Sequence, residues 1–240
     1  MRSSNVTEAL SSRMSRRQVL ATGSIVALSG CLGGGSNSST DGNVNEDVAN
    51  APLSNSPDSL TYATMGSSDG PTITYYGNWK CPYCAEFSTG TLGDFVTDYV
   101  ENGNVNIQFR ALAYINGEPF LGADSPRAAR AGLAVWNVNP ETYWRYHEYV
   151  FANQPPEGET WATAEKLLSF AESAGVGDLD RVREQLDEGM YESEVQNTTD
   201  AAASAGVSGT PTLVIDGETV NPLSDESRAR TLIEGLTDAS

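Results

Sequence analysis

The sequence predicts an α/β domain into which a block of helices is inserted. Three observations carry this. A β-rich segment, an amphipathic stretch and a period-two segment succeed one another in the first half of the chain. A long run of helical patterns follows. The chain then returns to a β-branched run, an Asp-Gly turn and a second extended run before a last helix.

Residues 59–65 read as a first strand. The run Thr72-Ile73-Thr74-Tyr75-Tyr76 is a stronger one, because β-branched and aromatic side chains suit a pleated surface, and Gly70-Pro71 and Gly77 bound it. A helix is predicted from near Cys81, with Pro82 at an early position where its missing N–H is harmless. Phe87, Leu92, Phe95, Val96 and Tyr99 then recur at roughly helical spacing to about Asn102, and residues 105–110 alternate as a strand. A strand–helix–strand unit of this kind is expected to cross over right-handed. Ser125-Pro126 supplies a cap and a first position for a helix to about Asn137, and Asn139-Pro140 repeats the device for one to about Asn153. Thr160 opens a third, ended by Gly175, and residues 178–188 and 191–205 form two more. Residues 212–216 are a strand, Asp216-Gly217 a hairpin turn, residues 218–220 the returning strand and residues 225–237 the closing helix.

The chain has 240 residues, with 32 Asp and Glu against 14 Lys and Arg and a formal net charge of -18. This length allows one sizeable domain with or without a tail, and 39% hydrophobic residues exclude wholesale disorder. The acidic balance excludes nucleic acid as the main partner, since phosphate binding needs clustered Lys and Arg. Lys80 and Lys166 are the only lysines. Low lysine with excess carboxylate points to a protein working in very high salt. There the Debye length falls to ~3 Å at 1 M, so carboxylate repulsion costs little while the charges hold water at the surface. The three cysteines, Cys31, Cys81 and Cys84, are too few for a disulfide-stapled scaffold or a four-cysteine zinc site.

Residues 1–30 read as an address rather than as part of the fold. Arg16-Arg17 stands directly before a short apolar stretch from Val19 to Ser29. That stretch falls short of the ~20 apolar residues a membrane-spanning helix needs, and its plan is that of a secretory signal. The paired arginines resemble the twin-arginine signal, which exports folded proteins. Leu28-Ser29-Gly30-Cys31 looks like a lipobox, with cleavage before Cys31 and lipidation of its thiol. Cleavage there would remove Arg2, Arg13, Arg16, Arg17 and Glu8, leaving a net charge of -21. Residues 31–57, rich in Ser, Asn, Asp and Gly, are expected to be a flexible linker that lifts a domain at 58–240 off the membrane. Asn37-Ser38-Ser39 and Asn197-Thr198-Thr199 match the N-glycosylation pattern, a weak signal.

The chemistry is expected at Cys81-Pro82-Tyr83-Cys84, which follows a predicted strand and opens a predicted helix. The first cysteine then sits where free N–H groups stabilise a thiolate, and Lys80 before it adds positive charge. Together these lower a cysteine pKa from ~8.5 into the ~3.5–7.5 range of such motifs. Cys81 would exchange disulfides with a client, and Cys84, one turn further in, would resolve the adduct. A purely structural staple is disfavoured, since so short a loop yields only about 2 kcal/mol against ~4.7 for a 100-residue loop. A metal site lacks a second C-x-x-C, and His147 is the only imidazole; copper(I) held by the two thiolates stays open.

The segment Gly77-Asn78-Trp79-Lys80-Cys81-Pro82-Tyr83-Cys84, followed by Phe87, resembles the active-site turn of DsbA-like thioredoxin-fold proteins. Val207-Ser208-Gly209-Thr210-Pro211-Thr212 resembles their loop with a cis proline before a strand. The resemblance implies a thioredoxin fold, a mixed sheet flanked by helices, with a helical subdomain inserted at about 120–205. It implies a redox-active disulfide between Cys81 and Cys84, with Pro211 lying against it and the Thr210 backbone pairing with an extended client. No cofactor and no metal is implied. The partners would be cysteine-containing exported proteins and a membrane redox partner that resets the site. The whole is expected to be an exported lipoprotein of a halophilic archaeon.

Two features depart from the family. The spacer pair Pro82-Tyr83 is that of glutaredoxins rather than Pro-His, so no imidazolium flanks the thiolate. No acidic residue occurs in the strand at 72–76, where this superfamily often buries a carboxylate as proton acceptor. The direction of electron flow therefore stays open between oxidase, reductase and isomerase, and the expected potential lies between the ~-200 to -230 mV of glutaredoxins and the ~-120 mV of DsbA. A non-catalytic lipoprotein that binds peptides or copper through the same groove is the alternative from another class. His147 and its aromatic neighbours Tyr143, Trp144, Tyr146, Tyr149 and Phe151 read as the inward face of an amphipathic helix. Trp136 reads as core, and Trp79 as core or as a wall of the client groove. Arg127 and Arg130 are expected in solvated ion pairs with nearby acids rather than around a bound anion, and Glu86 either exposed or as a proton acceptor.

Overall fold

The computed structural model describes residues 42–67 and 69–238. In chain order the strands are β1 (Thr64–Met65), β2 (Thr72–Gly77), β3 (Asn106–Ala111), β4 (Tyr114–Ile115), β5 (Glu118–Pro119), β6 (Thr212–Ile215) and β7 (Glu218–Val220). The helices are α1 (Glu46–Ala49), α2 (Pro82–Ser88), α3 (Leu92–Phe95), α4 (Ser125–Val138), α5 (Tyr143–Ala152), α6 (Ala164–Ser173), α7 (Leu179–Asp187), α8 (Glu192–Ser204) and α9 (Glu226–Asp238). A five-stranded sheet runs in the order β1–β3–β2–β6–β7. Only β2 and β3 are parallel, with Ile73 opposite Ile107 and Tyr75 opposite Phe109. On its other side β2 meets β6 antiparallel, with Tyr75 opposite Leu213. This is the thioredoxin fold, and helices α4 to α8 are inserted between β3 and β6.

The alternation of β2 explains its central place. Ile73, Tyr75 and Tyr76 are all buried, so both faces of the strand are covered. Packed over one face is an aromatic cluster. Tyr75 meets Phe87 and Phe109 edge-on at 5.2 and 5.1 Å, and His147 meets Phe109 at 4.6 Å. The Asp216-Gly217 turn has φ of 49° and 79°, the two positive values that a tight hairpin requires. The Asn116-Gly117 turn between β4 and β5 repeats that geometry at 54° and 80°.

Four expectations change. The linker to residue 57 stops short of the domain's edge. Asn45 caps α1 by accepting from the Asp47 and Val48 N–H groups, Val48 is fully buried, and Leu53 bridges to Met65. The segment from 42 is thus part of the packed unit, because a few apolar residues and one cap suffice where longer periodicity is absent. The first strand shrinks to Thr64–Met65, because the Leu60 carbonyl accepts from Trp136 Nε1 at 2.7 Å and Pro57 opens a 3₁₀ turn before it. The helix after Cys81 breaks at Thr89-Gly90, where Asn45 Nδ2 caps the Gly90 carbonyl at 2.9 Å, and resumes as α3 and a π-helical turn at 96–100. The helix expected from Thr160 starts at Ala164 under a Thr163 cap, since residues 161–162 are drawn aside: Trp161 is buried and Ala162 N–H donates to Asp124.

Candidate active site

Strand β2 delivers the chain into a turn at Asn78–Lys80, and Cys81 is the N-cap of α2 with Pro82 as first helical residue. The turn is fixed by Asn78. Its side-chain NH₂ donates to the Leu112 carbonyl at 2.8 Å and to Ser125 Oγ at 2.7 Å, while its Oδ1 accepts from the Lys80 N–H at 2.8 Å. Cys81 N–H donates to the Asn78 carbonyl at 2.9 Å, closing the turn. Both thiols are free, as a dithiol.

The two sulfurs are unequal. Cys81 is 4% exposed and Cys84 is fully buried. The Cys81 pKa falls from 9.0 to about 6. The main cause is the hydrogen bond from the Cys84 thiol; burial opposes it, and the Thr210 side chain and the N–H groups of Cys84 and Tyr83 add to the lowering. Those two N–H groups belong to the first turn of α2, the positive end of the helix. Cys84 moves the other way, pushed well up by burial and then by the neighbouring Cys81. Cys81 Sγ also donates to the Thr210 carbonyl at 3.4 Å, and the Thr210–Pro211 peptide is cis. Thus the Cys81–Cys84 turn and the Thr210-Pro211 loop, 129 residues apart, meet at one point. Pro82 and Tyr83 are exposed on its rim, Tyr83 at 63%. Beside them lies a mainly apolar groove of about 350 Å³ formed with Glu86, Asn221, Leu223 and Ser224.

Lys80 does not act as expected. Its side chain is buried and its Nζ pairs with Asp124 Oδ1 at 2.5 Å and donates to the Glu159 carbonyl at 2.9 Å. Its charge is committed to the helical insertion and not offered to Cys81. Trp79 is core, stacked on Phe109 at 6.0 Å, and Gly132 on α4 makes room for it. His147 is fully buried, and burial pushes its pKa down to about 3. Its Nε2 lies 3.0 Å from Ser88 Oγ, so it faces the core as its aromatic neighbours do. Arg130 pairs with Glu192 at 2.5 Å, whereas Arg127 donates to the Ala162 carbonyl at 3.0 Å. Glu86 is exposed on α2.

One buried acid went unread. Glu148 is fully buried, and burial raises its pKa to about 7 against the bonds from Ser88 Oγ and the Asn45 N–H. The signal was available: Glu148 lies four residues after Trp144 and three before Phe151, on the buried stripe of α5. Cys31 and the paired arginines lie outside the described residues. Among the described residues no helix is long and apolar enough to cross a membrane, and no group of three or more His, Cys, Asp or Glu is placed to hold a metal.

A thioredoxin family model matches residues 58–234. The disulfide bond formation protein D of Bacillus subtilis is 26% identical over 186 residues, covering 77% of this chain and 81% of that protein. The crystal structure of oxidised BdbD from Bacillus subtilis superposes with a TM-score of 0.66 at 25% identity, over 79% of this chain and 98% of that one. DsbA of Chlamydia trachomatis shares the fold, with a TM-score of 0.61 at 21% identity over 76% of this chain and 96% of that one.

Proposed function

Since the chain belongs to the thioredoxin family, we propose that it is a thiol–disulfide oxidoreductase of the DsbA type, working through Cys81 and Cys84. One observation carries the reading. The outer sulfur, at a helix N-terminus, has a pKa of about 6, while the inner one is held neutral by burial directly behind it. At neutral pH such a pair presents one thiolate and keeps one thiol in reserve, which is the division of labour that exchange through a mixed disulfide needs. Cys81 is the attacking and attacked sulfur, and Cys84 resolves. The Thr210 backbone beside Cys81 suits pairing with an extended client, and Pro211 and Tyr83 border that site. The relative named for disulfide bond formation supports an oxidising direction; a reductase or isomerase would use the same residues.

The clients in this reading are cysteine-containing exported proteins, and a membrane redox partner resets the site. Export and lipid anchoring rest on Arg16-Arg17 and on Leu28-Ser29-Gly30-Cys31, and adaptation to salt rests on the net charge of -18. The full chain should catalyse insulin reduction and the oxidation of a reduced client, and Cys81→Ser should abolish both. An inert wild type that bound copper(I) tightly would overturn the reading in favour of a binding protein. Cys31→Ala should release the protein from membranes; retention would remove the anchor from the proposal.

A further inference from the structure

One buried polar group beside the two sulfurs has no role so far. Tyr75 lies six residues before Cys81 on β2, and none of it reaches solvent. Phe87 and Phe109 hold its ring edge-on. Gly77 leaves the space for its tip, since a Cβ there would stand 3.0 Å from Tyr75 Oη. The hydroxyl has no hydrogen-bond partner in the dithiol protein. It lies against Gly77, and the N–H of the next residue, Asn78, is 3.4 Å from Cys84 Sγ, so the orphaned hydroxyl and the inner sulfur are near neighbours. Burying a hydroxyl is unfavourable unless it bonds to something. Phenylalanine would fill the same space without that cost, so packing alone does not account for a tyrosine.

Exchange puts negative charge on Cys84 in both directions. When a client disulfide is reduced, the Cys84 thiolate attacks Cys81 Sγ in the mixed disulfide. The Cys81–Cys84 bond forms, the Cys81–client bond breaks, and the client sulfur leaves with the electron pair and takes up a proton. When a client dithiol is oxidised, its thiolate attacks Cys81 Sγ and Cys84 leaves as the thiolate. Burial opposes that charge; the Thr210 side chain works against burial, and the Asn78 N–H, 3.4 Å from Cys84 Sγ, is the one backbone donor aimed at it among the described residues.

We propose that the Tyr75 hydroxyl becomes a further donor to Cys84 Sγ when that sulfur is charged, a catalytic group that stabilises the resolving thiolate in both directions of exchange. This rests on the disulfide-exchange reading and assigns it a residue. Burial and then Cys84 itself push the Tyr75 pKa well up, so the phenol keeps its proton and stays available as a donor throughout. The titratable groups facing it are Cys81 and Cys84 from α2, and His147 and Glu148 from α5.

The test follows the two sulfurs separately. The reduced full chain is mixed with dithiobis(nitrobenzoate) in a stopped-flow instrument across a pH series. The first thionitrobenzoate released reports attack by Cys81, and the second reports attack by Cys84 on the resulting mixed disulfide. In Tyr75→Phe the second release should slow roughly tenfold to a hundredfold, the loss expected for a hydrogen bond to a charged group. Its pH midpoint should move upward while the first release is unchanged. A second release as fast as wild type, or an equal slowing of both releases, would overturn the proposal. Fluorotyrosine at position 75 keeps the shape with a more acidic phenol, and should move the second midpoint downward; no movement would sink the proposal even if Tyr75→Phe failed to fold. A wild type that gives no second release at all fails differently, because it removes the exchange reading itself.

Discussion

Lys80 Nζ lies 2.5 Å from Asp124 Oδ1, and the pair ties the active-site turn to the inserted helices from within the core. Asp124 Oδ2 also accepts the Ala162 N–H at 2.8 Å, so one carboxylate joins the turn, the start of α4 and the approach to α6. The charge next to Cys81 in sequence is thus a structural one, and the lowering at Cys81 comes from hydrogen bonds instead.

Asp124→Asn should therefore destabilise the protein strongly. It leaves a buried ammonium with no counter-charge, a change that costs about 3–5 kcal/mol, whereas an apolar replacement of both partners is often neutral. Urea denaturation of Asp124→Asn, Lys80→Met and the double variant Lys80→Met/Asp124→Leu measures this. The double variant should recover most of the loss. Full additivity of the two single losses would show that the pair is not coupled.

The thiol absorbance of the reduced protein should titrate in two well-separated steps. The first, at about pH 6, belongs to Cys81 and is absent in Cys81→Ser. The second, well above 9.0, belongs to the buried Cys84. Linkage gives the sign for stability. A folded pKa below the unfolded one makes the reduced protein gain stability as pH rises from about 6 to 9, and lose it as pH falls back. Relative to Cys81→Ser the wild type should gain stability across that range. A flat difference would refute the assigned thiolate.

A stabilised thiolate favours the dithiol form and raises the reduction potential. A Cys81 pKa of about 6 lies between the ~7 of thioredoxin and the ~3.5 of DsbA. Equilibration with glutathione should accordingly give a potential between ~-230 and ~-120 mV. A value below the ~-270 mV of thioredoxin would reverse the expected direction of electron flow.

Much of this site was legible because its signals are local. A C-x-x-C at a strand-to-helix junction carries its own helix-start chemistry, and α2 opens at Cys81. The cis bond before Pro211 was expected from the family resemblance and not from Thr-Pro itself; the Thr210–Pro211 peptide is cis. Asn116-Gly117 was equally local, yet its strands are two residues each and show no alternation to draw attention. What stayed hidden depends on distant partners. Lys80 reads as a free cation until Asp124 arrives from 44 residues away. Residues 45–48 read as spacer until Asn45 meets Gly90 and Glu148. Tyr75 reads as a strand aromatic, and only the folded chain brings its hydroxyl beside Gly77 and near Cys84.

The packing around the turn makes Gly132 sensitive. A Cβ at that position on α4 would stand 2.0 Å from Trp79 Cη2, and Trp79 is wedged between Phe109 and Tyr146. Gly132→Ala should cost roughly 1–3 kcal/mol by overpacking despite alanine's better helix propensity. Thermal unfolding measures it. A stabilised Gly132→Ala would show that helix propensity outweighs the clash.

Glu148 sets a pH dependence of opposite sign to that of Cys81. Its pKa is raised from 4.5 to about 7, with burial as the main cause, so the folded state holds a proton that the unfolded state has already lost. Stability attributable to this group is therefore full at acidic pH, declines as pH rises from about 4.5 to 7, and is level above that. The span is on the order of 3 kcal/mol. Glutamine keeps the volume, and its amide can still accept from the Asn45 N–H and donate to Ser88 Oγ. Glu148→Gln should thus fold, match wild type at about pH 4.5 and exceed it at pH 7. The comparison belongs in the oxidised protein, where Cys81 does not titrate. Parallel pH curves for the two proteins would mean that Glu148 is ionised in the folded state as readily as in water, and that the contacts from Ser88 and Asn45 outweigh its burial.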